Sequence, residues 1–168
     1  RQEDRTLTLV IAGRPDAFMQ RLATWVAAHG YGEMVRFWGA ASESDLAALY
    51  AGAAAYALPS LTEGFGLGGL EALRYGTPVV AADIPVLREV LGPHPTYADP
   101  TLVPAIAGAL REAMENSAGR ESRVARSRIH LAQYSWSQTA ARTLEIYQQV
   151  VARTSRPRSE YQRVGPHD

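Results

Sequence analysis

Apolar positions along this chain follow two periods, short continuous runs and longer helical stripes, and the two kinds of segment alternate. LTLVIAG, Leu7 to Gly13, is an apolar run halted by glycine and predicts a buried strand. Asp16 can cap the segment that follows, AFMQRLATWVAAHG, in which Phe18, Leu22, Trp25 and Val26 fall near one helical face and Gly30 supplies a stop. MVRFWG, Met34 to Gly39, predicts the next strand. Ser42 then opens a helix through DLAALYAG, with Ser42 and Asp45 at capping-box spacing. Ala53 to Leu58 predicts a strand halted by Pro59, residues 67 to 75 a compact helix ending at Gly76, and PVVAAD, from Pro78, another strand. Thr96 to Ala98 adds a further short one. Strands alternating with helices in this way predict an α/β fold, a mostly parallel sheet covered on both faces.

The last third changes character. Residues 101 to 117, 119 to 134 and 137 to 152 predict successive helices, with no strand between the last two. Trp136, at their junction, is expected to anchor a helix against the body. The reading gives one Rossmann-like domain with its C-terminal helices over residues 1–152, then a polar, disordered tail over 153–168.

With 168 residues and 46% hydrophobic content, the chain can bury a core, and its length favours one domain. Seventeen basic residues balance seventeen acidic ones, so there is no overall drive toward nucleic acid or anionic membrane. The balance conceals an asymmetry: residues 1–110 carry seven arginines against eleven acids, and residues 111–168 ten against six. Every basic residue is arginine. Cysteine is absent, which removes disulfide and thiolate chemistry and fits a reducing compartment. The sequence contains no apolar run of about 18 residues and no signal-peptide pattern.

The chemistry concentrates in PSLTEGFGLGGLEALRYGTPVVAAD, Pro59 to Asp83. Its first residue follows a predicted strand, and an open parallel sheet places functional loops at the carboxyl ends of its strands. The glycines of GFGLGG let the backbone approach a ligand closely, so that successive amides at a helix start can converge on a phosphate. The same glycines would also serve a plain tight turn. Lysine is missing altogether, which argues against a standard P-loop, and IAGRPDA carries one glycine where a dinucleotide turn needs three. Glu63 in the loop can accept sugar hydroxyls or stabilise positive charge at an anomeric carbon, whereas Glu71 on the helix can hold the vicinal hydroxyls of a ribose. A loop cap and a solvated helix residue are the structural alternatives for the two. Arg14 follows the first strand, and FWGAASESDL offers Gly39 and Ala40 as a turn that a flat base could approach. His29, His94, His130 and His167 lack metal-ligand spacing, and no metal is expected.

These residues resemble the carboxyl-terminal half of retaining glycosyltransferases of family 4, enzymes of two facing Rossmann-like domains (the GT-B type). The likeness runs over residues 6 to 152, through VIAG, RFWGAASESDLAALYAGA, the Pro59 to Asp83 stretch, PVLREVLG and YSWSQTAARTLEIY, and centres on the family's E-x7-E pattern at Glu63 and Glu71. The resemblance implies that Glu63 meets the donor sugar at the reacting centre and that Glu71 binds the nucleotide ribose. It further implies that the backbone of Gly64, Phe65, Gly66 and Leu67 meets the distal phosphate and that the Trp38, Gly39, Ala40 turn lies beside the base. Gly68 and Gly69 stand where the family often has proline. The family's basic pair and its amino-terminal acceptor domain are not in this sequence, and Arg14 is not assigned as a substitute.

The implied reaction moves a hexosyl group from a nucleoside diphosphate sugar, in UDP or GDP form, to an acceptor hydroxyl with retained anomeric configuration. No obligatory cofactor is implied. The expected partners are the nucleotide sugar and the missing acceptor domain, with no nucleic acid. The expected location is the cytoplasm, with contact to the inner face of a membrane only through the parent protein. A noncatalytic nucleotide-sugar-binding module, half of a related phosphorylase or epimerase, and a structural Rossmann-like domain are the alternatives.

Overall fold

A computed structural model describes residues 7–115 and 119–154. It has the expected α/β architecture, in the order β1 (Leu9–Ala12), α1 (Ala17–Ala28), β2 (Val35–Gly39), α2 (Glu43–Gly52), β3 (Tyr56–Leu58), α3 (Leu67–Arg74), β4 (Val79–Ala82), α4 (Pro85–Leu91), β5 (Thr96–Ala98), α5 (Val103–Glu115), α6 (Arg120–Leu131) and α7 (Trp136–Thr154). All strand pairs are parallel. Their ladders form two sheets, β1–β2 and β3–β4–β5.

The core is built around β4. All four of its residues, VVAA, are buried, because β3 and β5 flank it and helices cover both its faces. Alternation over the first three residues divides the contacts: Val79 and Ala81 join Leu70, Leu73, Leu87 and Leu91 of α3 and α4, whereas Val80 joins Ala109 and Ala113 of α5; Ala82, at the strand end, joins the first group. Leu87 and Leu91 are fully buried, and each such leucine contributes about 1.5–3 kcal/mol by leaving water.

Local signals set several boundaries. Asp16 Oδ1 accepts the Met19 amide at 2.8 Å and caps α1. Ser42 and Asp45 complete a capping box at α2, Ser42 Oγ accepting from Asp45 N at 3.1 Å and Asp45 Oδ2 accepting from Ser42 N at 3.0 Å. The shorter reach of aspartate is sufficient here. The pattern reading did not assign α4, whose seven residues are too few for an amphipathic stripe; Pro85 at its first turn and Gly92 after its last are its sequence marks.

Two packing expectations differ from the structure. Phe18 and Trp25, which fall near one helical face with Leu22 and Val26, are 61% and 52% exposed, and Val26 is the buried residue of α1. Trp25 finds its partners locally, stacking on His29 with ring centroids 4.0 Å apart and on Tyr31 at 6.2 Å. Trp136 is 85% exposed and does not anchor α7 to the body. The docking role at that junction falls to Tyr134, which packs on the core beside Leu131. The helix expected over 101–117 is α5, Val103–Glu115, and the expected end at 117 lies outside the described residues. Helix α7 crosses the expected boundary at 152 and runs to Thr154; residues 155–168, most of the expected tail, lie outside the described residues.

Candidate functional site

The loop from β3 to α3 carries both glutamates. β3 ends at Leu58, Pro59 follows, and α3 starts at Leu67 after Gly66 in the left-handed region, φ 90° and ψ 39°. A side chain at Gly66 would be strained by that φ and would also bring its Cβ within 2.5 Å of Leu87 Cδ2. The turn is therefore set by the core beneath it. No side chain caps α3, and Gly69 N turns back to the Gly66 carbonyl at 2.9 Å, so the amides ahead of it are the ones that a ligand or solvent meets at the positive end of the helix.

Gly68 and Gly69 are packing residues. A Cβ at Gly69 would meet Leu91 Cδ1 at 2.8 Å, and one at Gly68 would collide with the Tyr56 hydroxyl. The missing prolines are thus matched by a helix start seated tightly on α4 and on the tyrosines.

Glu63 is half-buried, and its Oε1 accepts the Ser60 hydroxyl at 2.8 Å. Glu71 is exposed on α3, and its Oε2 accepts the Tyr50 hydroxyl at 2.9 Å. Tyr56 lies within the field of both carboxylates: burial chiefly, then Glu63 and Glu71, push its phenol pKa up. These three groups therefore share one polar neighbourhood. The tyrosines and Ser60 escaped the sequence reading. Ser60 had a usable signal, its S-x-x-E spacing to Glu63; Tyr50 and Tyr56 had none, since each sits in an apolar segment that already reads as core.

Phe65, in the middle of the loop, meets Tyr134 edge to face with centroids 5.7 Å apart, and Tyr134 in turn contacts His130. Helix α6 is fixed underneath by Arg123 Nε donating to the Gly76 carbonyl at 2.7 Å and by a 2.7 Å contact between His130 Nε2 and the Val90 carbonyl. The loop is thus braced from the C-terminal helices as well as from the sheet.

The second candidate turn, Trp38 to Ala40, takes in the end of β2 and also bends at a left-handed glycine, Gly39 with φ 82°. Its bonds lead elsewhere: the Gly39 carbonyl accepts from Gly13 N at 2.9 Å, and Trp38 joins Ser42 in lowering the Asp45 pKa, with Ser42 the larger cause. Both turns lie at the carboxyl ends of parallel strands. Glu71 is tied through Tyr50 and Tyr56 to the space over Gly68, and Glu63 acts on Tyr56 through its charge; none of these contacts involves the Trp38 to Ala40 segment. Arg14 is exposed after β1. Among the described residues no cluster of three or more His, Asp or Glu side chains is arranged to hold a metal, and no helix is long and apolar enough to cross a membrane.

Comparison with known proteins adds a family to this geometry. The O-antigen chain mannosyltransferase B of Escherichia coli is 36% identical over 113 residues, which is 67% of this chain and 30% of that protein. The MMP alpha-(1->4)-mannosyltransferase of Mycolicibacterium hassiacum is 31% identical over 160 residues, 92% of this chain and 38% of that protein. Among solved structures, the sucrose-phosphate synthase of Thermosynechococcus elongatus superimposes with a TM-score of 0.76 at 27% identity, covering 86% of this chain and 39% of that one. The chain thus spans between three tenths and about two fifths of the length of these relatives. Residues 1–130 match the family described as Glycosyl transferases group 1, and the chain belongs to that family.

Proposed function

We propose that this chain is the donor-binding domain of a retaining glycosyltransferase, which moves a hexosyl group from a nucleoside diphosphate sugar to an acceptor hydroxyl. One observation carries the reading: two carboxylates flank a left-handed glycine turn that opens an uncapped helix at the end of a parallel strand. The amides from Phe65 to Leu67 supply donors to the distal phosphate, Glu71 receives the ribose, and Glu63 faces the sugar. Names of relatives support a hexosyl group, since two of them are mannosyltransferases.

In this scheme negative charge builds on the departing diphosphate as the glycosidic bond breaks. Fixed amide dipoles stabilise that charge without reorganising, and so favour the transition state over the bound donor. Glu63, with one oxygen held by Ser60, leaves its other oxygen for the positive character developing at the anomeric carbon. No side-chain nucleophile is required. The acceptor hydroxyl attacks from the face the diphosphate leaves, and its proton passes to a diphosphate oxygen, which retains the configuration. The acceptor site belongs to the remainder of the parent protein, so the isolated chain binds donor and does not transfer. The same reading sets the reaction in the cytoplasm, with any membrane contact made by the parent.

The test compares the full-length parent with a form lacking the region upstream of this domain, supplied with UDP- and GDP-hexoses and a panel of acceptors. Release of nucleoside diphosphate with a retained product anomer, seen in the parent alone, is the expected result. Binding of donors without transfer by the parent on every acceptor would favour a noncatalytic module, and release of pyrophosphate or consumption of phosphate would place it with other chemistry.

A further inference from the structure

Glu71 stands on α3 and Tyr50 on α2, 21 positions apart in sequence, yet the tyrosine hydroxyl reaches the carboxylate at 2.9 Å. Three contacts fix that tyrosine. Its ring meets Tyr56 edge-on at 5.4 Å and stacks on Tyr75 at 5.9 Å, and its backbone carbonyl accepts the hydroxyl of Thr77, a residue only 1% exposed. Gly68 leaves the room the two hydroxyls occupy: a Cβ there would strike the Tyr56 hydroxyl and stand 3.3 Å from that of Tyr50. Burial first, and the bond to Glu71 second, raise the Tyr50 phenol pKa well above its ordinary value. At neutral pH the phenol is therefore a donor facing an acceptor.

We infer that Tyr50 is a positioning residue that holds Glu71 in the rotamer that receives the ribose, with Gly68 keeping open the space this contact needs. The inference rests on the proposed role of Glu71. An exposed glutamate on a helix samples several rotamers, and fixing it on binding costs free energy that a prior hydrogen bond has already met. The arithmetic of lone pairs permits the arrangement: a carboxylate accepts about four hydrogen bonds, Tyr50 uses one, and a ribose diol offers two donors.

The test is calorimetry on the 168-residue chain with UDP and GDP, each against its 2′,3′-dideoxy analogue, so that the ratio of affinities isolates the two hydroxyls. Tyr50→Phe keeps the ring and both ring contacts, and thermal melting checks that the fold is intact. The expected result is a loss of about five- to tenfold in the ribose preference of Tyr50→Phe, the size of one ordinary hydrogen bond, with affinity for the dideoxy form unchanged. Gly68→Ala should lower the same ratio. A preference that survives Tyr50→Phe but disappears in Glu71→Ala would overturn the role of Tyr50 and leave Glu71 as the ribose ligand. Equal binding of ribose and dideoxy forms by the unaltered chain would overturn both.

Discussion

Phe65 and Tyr134 meet edge to face, their ring planes 83° apart, although one lies in the β3–α3 loop and the other three residues beyond the end of α6. The middle of the candidate phosphate turn is thereby tied to the C-terminal helices. An aromatic pair of this geometry contributes about 0.5–1.5 kcal/mol beyond the area it buries. Tyr134→Ala should therefore lower stability by about 1–2 kcal/mol and weaken nucleoside diphosphate binding, whereas Tyr134→Phe should leave both nearly intact. Thermal melting and calorimetry on the two variants separate these effects.

Gly66 is the residue on which the turn depends. Gly66→Ala faces both a left-handed backbone and Leu87 Cδ2 at 2.5 Å from the new Cβ. The expected cost is about 1–3 kcal/mol from the backbone alone, with loss of diphosphate binding as the amides move. Denaturant unfolding should show the midpoint falling at constant slope.

The core beneath makes a separate prediction. Leu91 is fully buried against Gly69, and Leu91→Ala should cost about 2–5 kcal/mol through lost burial and a residual cavity. Ser42→Ala, at the capping box of α2, should cost about 1 kcal/mol. The ordering of the two unfolding free energies, core leucine well above helix cap, is the quantity to measure.

His94 gives the molecule an acid-sensitive point. Burial, then His130 and Arg126, depress its pKa below the ordinary 6.5. Protons therefore bind the unfolded chain more readily than the folded one between the two pKa values, and stability must fall as pH drops from 6.5 toward the folded value. The loss is small because the residue is only partly buried and solvent screens the charge. Melting curves between pH 7.5 and pH 5 should show a downward slope that His94→Asn reduces.

Much of this was legible in the sequence because it depends on local rules. Asp16 and Ser42 mark helix starts and the glycines at 30 and 76 mark helix stops through local chemistry, and short apolar runs mark the strands. What escaped depends on distant packing. Helix α4 is too short to show a period, and Trp136 was assigned an anchoring role that Tyr134 fills because nothing local distinguishes two aromatics at one junction. Glu63 and Glu71 were legible as a spaced pair, but Tyr50 and Tyr56 were not, since a tyrosine in an apolar stripe reads as core until the fold brings its hydroxyl to a carboxylate.

The division of labour between the two glutamates is the centre of the account. Calorimetry of Glu63→Ala and Glu71→Ala against a bare nucleoside diphosphate and its hexose derivative tests it most directly. Glu71→Ala should weaken both ligands alike, while Glu63→Ala should remove only the additional affinity due to the sugar. Equal losses from both substitutions on both ligands would contradict it.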